Sequence, residues 1–355
     1  MSVIVTEGNA RARPDDPQPV TMQAVMFDAH GGTDRIRFKT VPIPTPAEDE
    51  VLVRVSAIAL NGFDPMVLRG IPGLPTPLPM IPCADAAGRI VAMGTAVDRQ
   101  RWRSGQRVGL VPIRPGQGMV GETLPGVAAE FITVPQSALL ALPDQVSDIQ
   151  AACLPTAYGT AMRMVNTRGH ISRGERVLIL GASGGVGTGC VQLAHLAGAE
   201  VIACTDNPAA LALLRRIGAD HTIDTTSHNV MTEVHQRFGK PSIWGGGGVD
   251  VVIDVLGGDT WSPSLACLGR GGRLLTCGAS AGFEVATDLR YVWSFEIEII
   301  GCNGWTAEDQ VRLLDLVAQG RLDPVVHAQR PLSAFVEALT ELTDRQVIGK
   351  SVLVP

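Results

Sequence analysis

Apolar and polar residues follow two different rhythms along this chain. Between Met22 and about Val134 the apolar positions come in short runs, such as Glu50–Ile58 and Gly88–Met93, separated by clusters of proline and glycine. Runs of that length with that punctuation predict a compact β-structured unit. From about Ser147 the rhythm changes, and strand-length apolar runs alternate with stretches of helical spacing. Val177–Leu180 reads as a strand, Thr188–Leu196 as a helix, Glu200–Cys204 as a strand, and Ala209–Ile217 as a helix stopped by Gly218. Strands over Val249–Val255 and Gly272–Cys277 continue the series, with another expected over Ile297–Ile300. Such alternation predicts parallel strands with helices on both faces. From about Asp309 a helix, a proline-punctuated segment and a closing strand Lys350–Leu353 finish the chain.

Composition narrows the class. A chain of 355 residues is too long for one small core, so two domains are expected. Hydrophobic residues make up 45%, but glycine, proline or charge cuts nearly every apolar run short of membrane-spanning length. The net charge of −6 offers no electrostatic case for nucleic acid or an anionic membrane. Seven cysteines lie scattered, with no C-x-x-C, so neither a disulfide framework nor a cysteine-rich zinc lobe follows. Reduced thiols fit a cytoplasmic protein. Residues 1–21, with Arg11, Arg13 and three prolines, read as a flexible tail and not as a secretory signal. The run Trp244-Gly-Gly-Gly-Gly248 reads as a surface loop.

The candidate chemistry centres on Arg176-Val-Leu-Ile-Leu-Gly-Ala-Ser-Gly-Gly-Val-Gly187. An apolar strand breaks at glycines and a helix follows, which is the context a dinucleotide-binding turn requires. Gly184 and Gly187 take the second and third glycine positions of the fingerprint, while Ala182 replaces the first. There the backbone must approach a pyrophosphate and the helix must pack closely on the strand. About twenty residues on, Asp206 stands where a carboxylate binds the adenosine ribose hydroxyls of NAD.

Several further segments, in this order, carry a resemblance to the medium-chain dehydrogenase/reductase superfamily. They are Glu50-Val-Leu-Val-Arg-Val, Leu60-Asn-Gly-Phe-Asp64, Ser104-Gly-Gln-Arg-Val-Gly109, Ala128-Ala-Glu-Phe-Ile-Thr-Val-Pro135, Leu154-Pro-Thr-Ala-Tyr-Gly-Thr160 and Gly269–Gly278. The resemblance spans Met22 to Pro355. It implies an α/β fold: a GroES-like β-rich catalytic domain over 22–156 and 304–355, and a doubly wound Rossmann domain over 157–303. The active site is implied in the cleft between them, and a homodimer joined through the Rossmann sheet edges is implied as well. Ser183, Gly184, Gly185, Val186 and Gly187 are then expected at the pyrophosphate, Thr160 at the nicotinamide face, and Leu256, Gly278 and Ala279 along the carboxyl edge of the sheet.

The superfamily divides by whether zinc does the chemistry. Where its zinc alcohol dehydrogenases carry two cysteines and a histidine, this chain resembles them only in position, with Asn61, Ala84 and Thr156. Asp85 alone survives beside the missing histidine, and one carboxylate does not hold zinc. The resemblance is therefore to the zinc-independent branch, similar to quinone oxidoreductases and enone reductases. Without a Lewis acid, reduction of an activated acceptor (a quinone or an α,β-unsaturated carbonyl) is the expected chemistry. Asn61 is a candidate to hold a substrate oxygen and Tyr158 a candidate proton donor. Asp64 is a candidate whose competing role is to cap a helix. Phe63 and Trp293 are candidate apolar lining. NADPH-using relatives place a lysine four positions after the acidic one, where this chain has Ala210, so NADH is expected over NADPH. Two other readings stay open: a zinc-free alcohol or ketone dehydrogenase, and a nucleotide-binding protein without turnover.

Overall fold

The computed structural model describes residues 20–355. Most of the expected tail lies outside the described residues, and its last position, Thr21, already opens a strand. Strands β1 (Thr21–Met26) and β2 (Arg37–Pro42) pair as an antiparallel ribbon. β3 (Glu50–Ala59), helix α1 (Asp64–Arg69), β4 (Asp85–Met93) and β5 (Arg107–Leu110) follow. The short strands β6 (Ile113–Arg114) and β7 (Gly118–Met119) precede β8 (Phe131–Pro135) and β9 (Leu139–Ala141). Helix α2 (Asp148–Cys153) starts at a capping box in which Ser147 and Gln150 satisfy each other's backbone amides. It runs into α3 (Gly159–Met162), flanked by wide π-turns over Leu154–Tyr158 and Arg163–Arg168.

The alternating half comprises β10 (Arg176–Ile179), α4 (Gly185–Ala197), β11 (Glu200–Thr205), α5 (Leu211–Arg216), β12 (His221–Asp224), α6 (Val230–Phe238), β13 (Val249–Ile253), α7 (Trp261–Cys267), β14 (Leu268–Thr276), α8 (Leu289–Ser294) and β15 (Glu298–Gly301). The chain then closes with α9 (Ala307–Ala318), β16 (Val326–Pro331), α10 (Phe335–Thr343) and β17 (Lys350–Val354). The parallel sheet runs in the order β12-β11-β10-β13-β14-β15. Its strand order reverses between β10 and β13, and ligands in open α/β sheets bind outside the carboxyl ends at such a reversal. The second sheet, antiparallel except for the parallel β16–β17 pair, runs β16-β17-β3-β4-β5-β9, with β8 also on β3, so it draws on distant parts of the chain.

Two features aim the antiparallel sheet at that reversal. A register shift between Val55 and Ala57 interrupts the β3–β4 ladder. Beyond it, Ala57 and Ala59 turn into the core shared with the parallel-sheet half, while Ile58 stays with the antiparallel core. The second is a lone bridge between Gly184 and Gly349, where the amide of Gly349 donates to the Ser183 carbonyl at 2.8 Å. The last strand thus reaches across to the glycine turn. Some expectations shift in detail. The strand expected over Val249–Val255 stops at Ile253, because the next residue, Asp254, folds the backbone onto its own side chain. β14 starts at Leu268, ahead of the expected Gly272, its glycines being tolerated within the strand.

Candidate active site

The dinucleotide turn is built by close contacts. Gly181 takes φ +64°, which favours glycine, and reverses the chain after β10. A Cβ on Gly187 would sit 2.2 Å from the Gly181 carbonyl oxygen, so the protein's own packing demands glycine there. Gly184 differs. As N-cap of α4 it would bring a Cβ no nearer than 3.6 Å to anything, so nothing in the fold requires glycine. An approaching pyrophosphate would, and the amides of the first helical turn face it with no side-chain cap. The residues present therefore fit a dinucleotide. Gly185 and Val186 open the helix, and the hydroxyl of Thr205 donates to Ser183 Oγ at 2.8 Å, steadying the turn.

Three other strands deliver the expected cofactor residues. Asp206 follows the end of β11, half-exposed, and pairs with Arg345 at 3.7 Å. After β13 the buried Asp254 accepts from the amides of Leu256 and Gly257 and from the hydroxyls of Thr260 and Ser264. That knot fixes Leu256. The carbonyl of Leu256 accepts from Ala281, and the Gly258 amide donates to Gly282, so the loop carrying Gly278 and Ala279 is latched to it. Thr160 is buried in α3, at the far end of the π-turn from Thr156.

A buried polar cluster, the floor of the cleft that the resemblance implies, joins the end of β3, the start of β4 and the π-turn. Asp85 opens β4 beneath the left-handed Cys83 (φ +71°), a turn closed by Gly126, whose Cβ would lie 2.3 Å from the Pro82 carbonyl. Asp85 accepts from Thr156 Oγ1 at 2.6 Å, from the Thr156 amide at 3.1 Å and from Asn61 Nδ2 at 2.9 Å. Lys350, also buried, donates to the Leu60 carbonyl at 2.6 Å and to Asn61 Oδ1, and stands 3.8 Å from Asp85 Oδ2. Burial raises the Asp85 carboxyl above its ordinary value, against the pull of Lys350 and of the hydrogen bonds from Thr156 and Asn61. Asp64, the first residue of α1, accepts the Asn61 amide at 2.7 Å through Oδ2, while its Oδ1 has no partner. Burial pushes its carboxyl up to about 7, opposed by the Asn61 amide and Lys350.

Residues 47–144 match the alcohol dehydrogenase GroES-like domain, and residues 185–319 match the zinc-binding dehydrogenase family. A chloroplastic quinone oxidoreductase of Triphysaria versicolor is 31% identical over 351 residues, covering 94% of this chain and 98% of that protein. The chain belongs to the medium-chain dehydrogenase/reductase superfamily. An NADPH-dependent alkenal/one oxidoreductase of Arabidopsis thaliana, also chloroplastic, is 29% identical across 95% of this chain and 80% of its own length. A solved NAD-dependent alcohol dehydrogenase superposes with a TM-score of 0.86 at 31% identity, over 94% of this chain and all of that one. The protein is thus an oxidoreductase of this superfamily, with a nicotinamide cofactor.

Within the superfamily the metal question is one of donor atoms. The three ligand positions hold Asn61, Ala84 and Thr156, and two of those side chains are bonded to Asp85. Among the described residues, no group of three His, Cys, Asp or Glu side chains is placed to hold a metal. Zinc does not fit this floor.

The structure brings Asn61, Asp64, Asp85 and Thr156 together, and it engages the side chains of Asn61 and Tyr158 within the protein. Asn61 Nδ2 donates to Asp85 at 2.9 Å and to the Ala59 carbonyl at 3.5 Å, and its Oδ1 accepts from Lys350. Tyr158 is held as closely. Its ring is fully buried, and its hydroxyl accepts from the Val325 amide at 2.9 Å and from Gln192 Nε2 at 3.2 Å. Burial also raises the phenol's pKa further above its ordinary range. Asp64 heads α1 as the capping alternative anticipated, but it serves the Asn61 amide and not those of its own helix. Phe63 packs against the antiparallel core, whereas Trp293 is 72% exposed on α8. Lys350 and Arg345 escaped the sequence reading. A lysine in a closing strand carries no local signal of burial, and Arg345 lies 139 residues from Asp206.

Proposed function

We propose that the protein is a zinc-independent reductase that passes hydride from NADH to an activated acceptor, a quinone or an α,β-unsaturated carbonyl. The observation that carries this reading is the filled floor: Lys350, Asn61, Thr156 and Asp85 satisfy one another where a zinc dehydrogenase would present metal ligands. Alcohol oxidation needs a group that lowers the alcohol's pKa, and neither Asn61 nor Tyr158 is free to do so. An acceptor whose carbon is already electrophilic needs no such help. The names of the two chloroplastic relatives support that class.

When bound, the nicotinamide supplies the hydride; the chain's residues position it. Amides at the start of α4 would take the pyrophosphate, Thr160 the nicotinamide side, and Leu256, Gly278 and Ala279 the sheet edge. With the Asn61 amide bonded within the protein and the Tyr158 hydroxyl fully buried, the proton that follows hydride comes from water. The preference for NADH rests on Asp206, whose carboxylate repels a 2′-phosphate, and on Ala210 in place of a lysine. Arg345 beside Asp206 opposes that preference.

The proposal includes a homodimer, because β15 is a free sheet edge with Glu298 and Ile299 exposed. Light scattering of wild type and Ile299→Lys tests it, since a dimer at that edge should fall apart in the variant. It also includes a cytoplasmic location, resting on seven unpaired cysteines and checked by cell fractionation. No helix among the described residues is long and apolar enough to cross a membrane.

The test is steady-state oxidation of NADH and NADPH with a quinone, an alkenal and a ketone, with and without chelator. Chelator-insensitive turnover of quinone or alkenal with NADH is expected. Loss of activity with chelator would overturn the zinc-free reading, and turnover of the ketone alone would overturn the acceptor class.

A further inference from the structure

Among the described residues Lys350 is the one fully buried cation, at 2% exposure. An ammonium out of water costs heavily unless paired and hydrogen-bonded, so a buried lysine has a structural or functional reason for its place. Its partners all belong to the cleft floor. The Leu60 carbonyl and Asn61 Oδ1 lie at the end of β3, and Asp85 lies at the start of β4. Asp85 carries the connection on to Thr156 at the π-turn, four residues before Thr160.

The same lysine touches the cofactor side as well. A Cβ built on Gly185 would lie 3.0 Å from Lys350 Cδ, so the aliphatic stem runs beneath the start of α4. The preceding residue, Gly349, takes φ +78° and gives its amide to the Ser183 carbonyl at 2.8 Å. Within one dipeptide the backbone holds the dinucleotide turn and the side chain holds the floor. Two of the ammonium's protons go to hydrogen bonds, its charge is paired with Asp85 at 3.8 Å, and the whole side chain is buried, so its contacts are to the protein itself.

We propose that Lys350 is a positioning residue that fixes the bound dinucleotide relative to the acceptor, by locking the Leu60–Asn61–Asp85 floor to the glycine turn. The inference rests on the reductase reading above. Hydride transfer requires the reacting atoms to be held about 3–3.5 Å apart, and a displacement of about 1 Å costs on the order of a hundredfold in rate. Cofactor affinity is carried by the turn's own backbone. Lys350 accordingly governs the transfer step more than binding.

Lys350→Met keeps most of the stem and removes the charge. Asp85→Asn removes the opposite charge, and Lys350→Met/Asp85→Asn removes both. Each single variant leaves a buried charge without its partner, and both should lower the thermal midpoint. The double variant should recover most of that loss, since neither charge remains. Its kcat with the acceptor that wild type reduces should still be at least tenfold low. Its Kd for NADH, read by fluorescence titration, should stay within threefold of wild type. A double variant whose kcat lies within threefold of wild type would overturn the proposal, showing an ion pair that only supports the fold. A Kd that rises as much as kcat falls would also overturn it, making Lys350 a cofactor ligand.

Should wild type reduce no quinone or alkenal, the acceptor reading fails. Amide hydrogen exchange on Lys350→Met then judges the positioning role. Faster exchange in both Leu60–Asp64 and Ser183–Thr188 is expected, and a change confined to one segment overturns it.

Discussion

Tyr158 offers the cleanest separation of chemistry from architecture in this site, through Tyr158→Phe. The substitution removes one oxygen from a fully buried ring and changes little else in shape. That oxygen accepts from the Val325 amide at 2.9 Å and from Gln192 Nε2 at 3.2 Å. Gln192 keeps the Asp323 carbonyl at 3.0 Å, so the Val325 amide is the donor left without a partner. An orphaned buried donor costs about 1–3 kcal/mol. With a urea dependence of about 3 kcal/mol/M, the unfolding midpoint should fall by roughly 0.3–1 M. Activity should respond differently. Loss of a general acid typically costs about 10²–10⁴-fold in rate. A packed tyrosine costs almost nothing once the protein is folded, so kcat of Tyr158→Phe below the unfolding transition should lie within twofold of wild type. A hundredfold fall in kcat with an unchanged urea midpoint would refute the reasoning and return Tyr158 to the chemistry.

The two glycines of the turn should separate binding from folding: Gly184→Ala should weaken NADH binding in fluorescence titration with an unchanged melting curve, whereas Gly187→Ala, with its Cβ 2.2 Å from a carbonyl oxygen, should lose both. Asp206→Ser should raise kcat/KM for NADPH about tenfold, equivalent to about 1.4 kcal/mol, and adding Arg345→Ala should reverse at least half of that gain. A wild type that already prefers NADPH would refute the Asp206 argument. Asp64 has a folded pKa of about 7, above its unfolded value of 3.8, so the folded state binds the extra proton between those values. Its contribution to stability is therefore greatest below about pH 4 and is lost as pH rises to about 7, at up to about 1.4 kcal/mol per pH unit. Urea midpoints measured across that window should decline less steeply in Asp64→Asn, and parallel slopes would refute the assignment.

What could be read from the sequence was what neighbouring residues decide between them. The glycine turn is such a case: Gly184 and Gly187 act within four residues, and the strand before them and the helix after them complete the context of a dinucleotide turn. Asp206 is similar, since its distance along the chain from the turn is set by one helix and one strand. Asn61 and Tyr158 are named as candidates by their own segments, but what holds their side chains depends on partners 289 and 167 residues away. No pattern in one sequence pairs such positions. β12 and α6 escaped for a different reason: both are short and largely half-exposed, and each buries only one side chain, so few apolar residues mark them. The ion pair of Arg345 with Asp206 depends on a left-handed arginine (φ +58°) after α10, which nothing in its local sequence announces.

The tie between Gly349 and Ser183 also bears on how the molecule comes into being. β17 is synthesised about 290 residues after β3, yet it pairs with that strand and braces the glycine turn. Until β17 leaves the ribosome, the Ile58–Ala59 end of β3 lacks this partner and the cofactor turn lacks its brace. A nascent chain is therefore without a finished cofactor turn until β17 has emerged, and a protease that removes β17 takes the brace of that turn with it. Cofactor capture thus becomes a report on closure, since a chain with β17 docked gains the added stability of a bound dinucleotide.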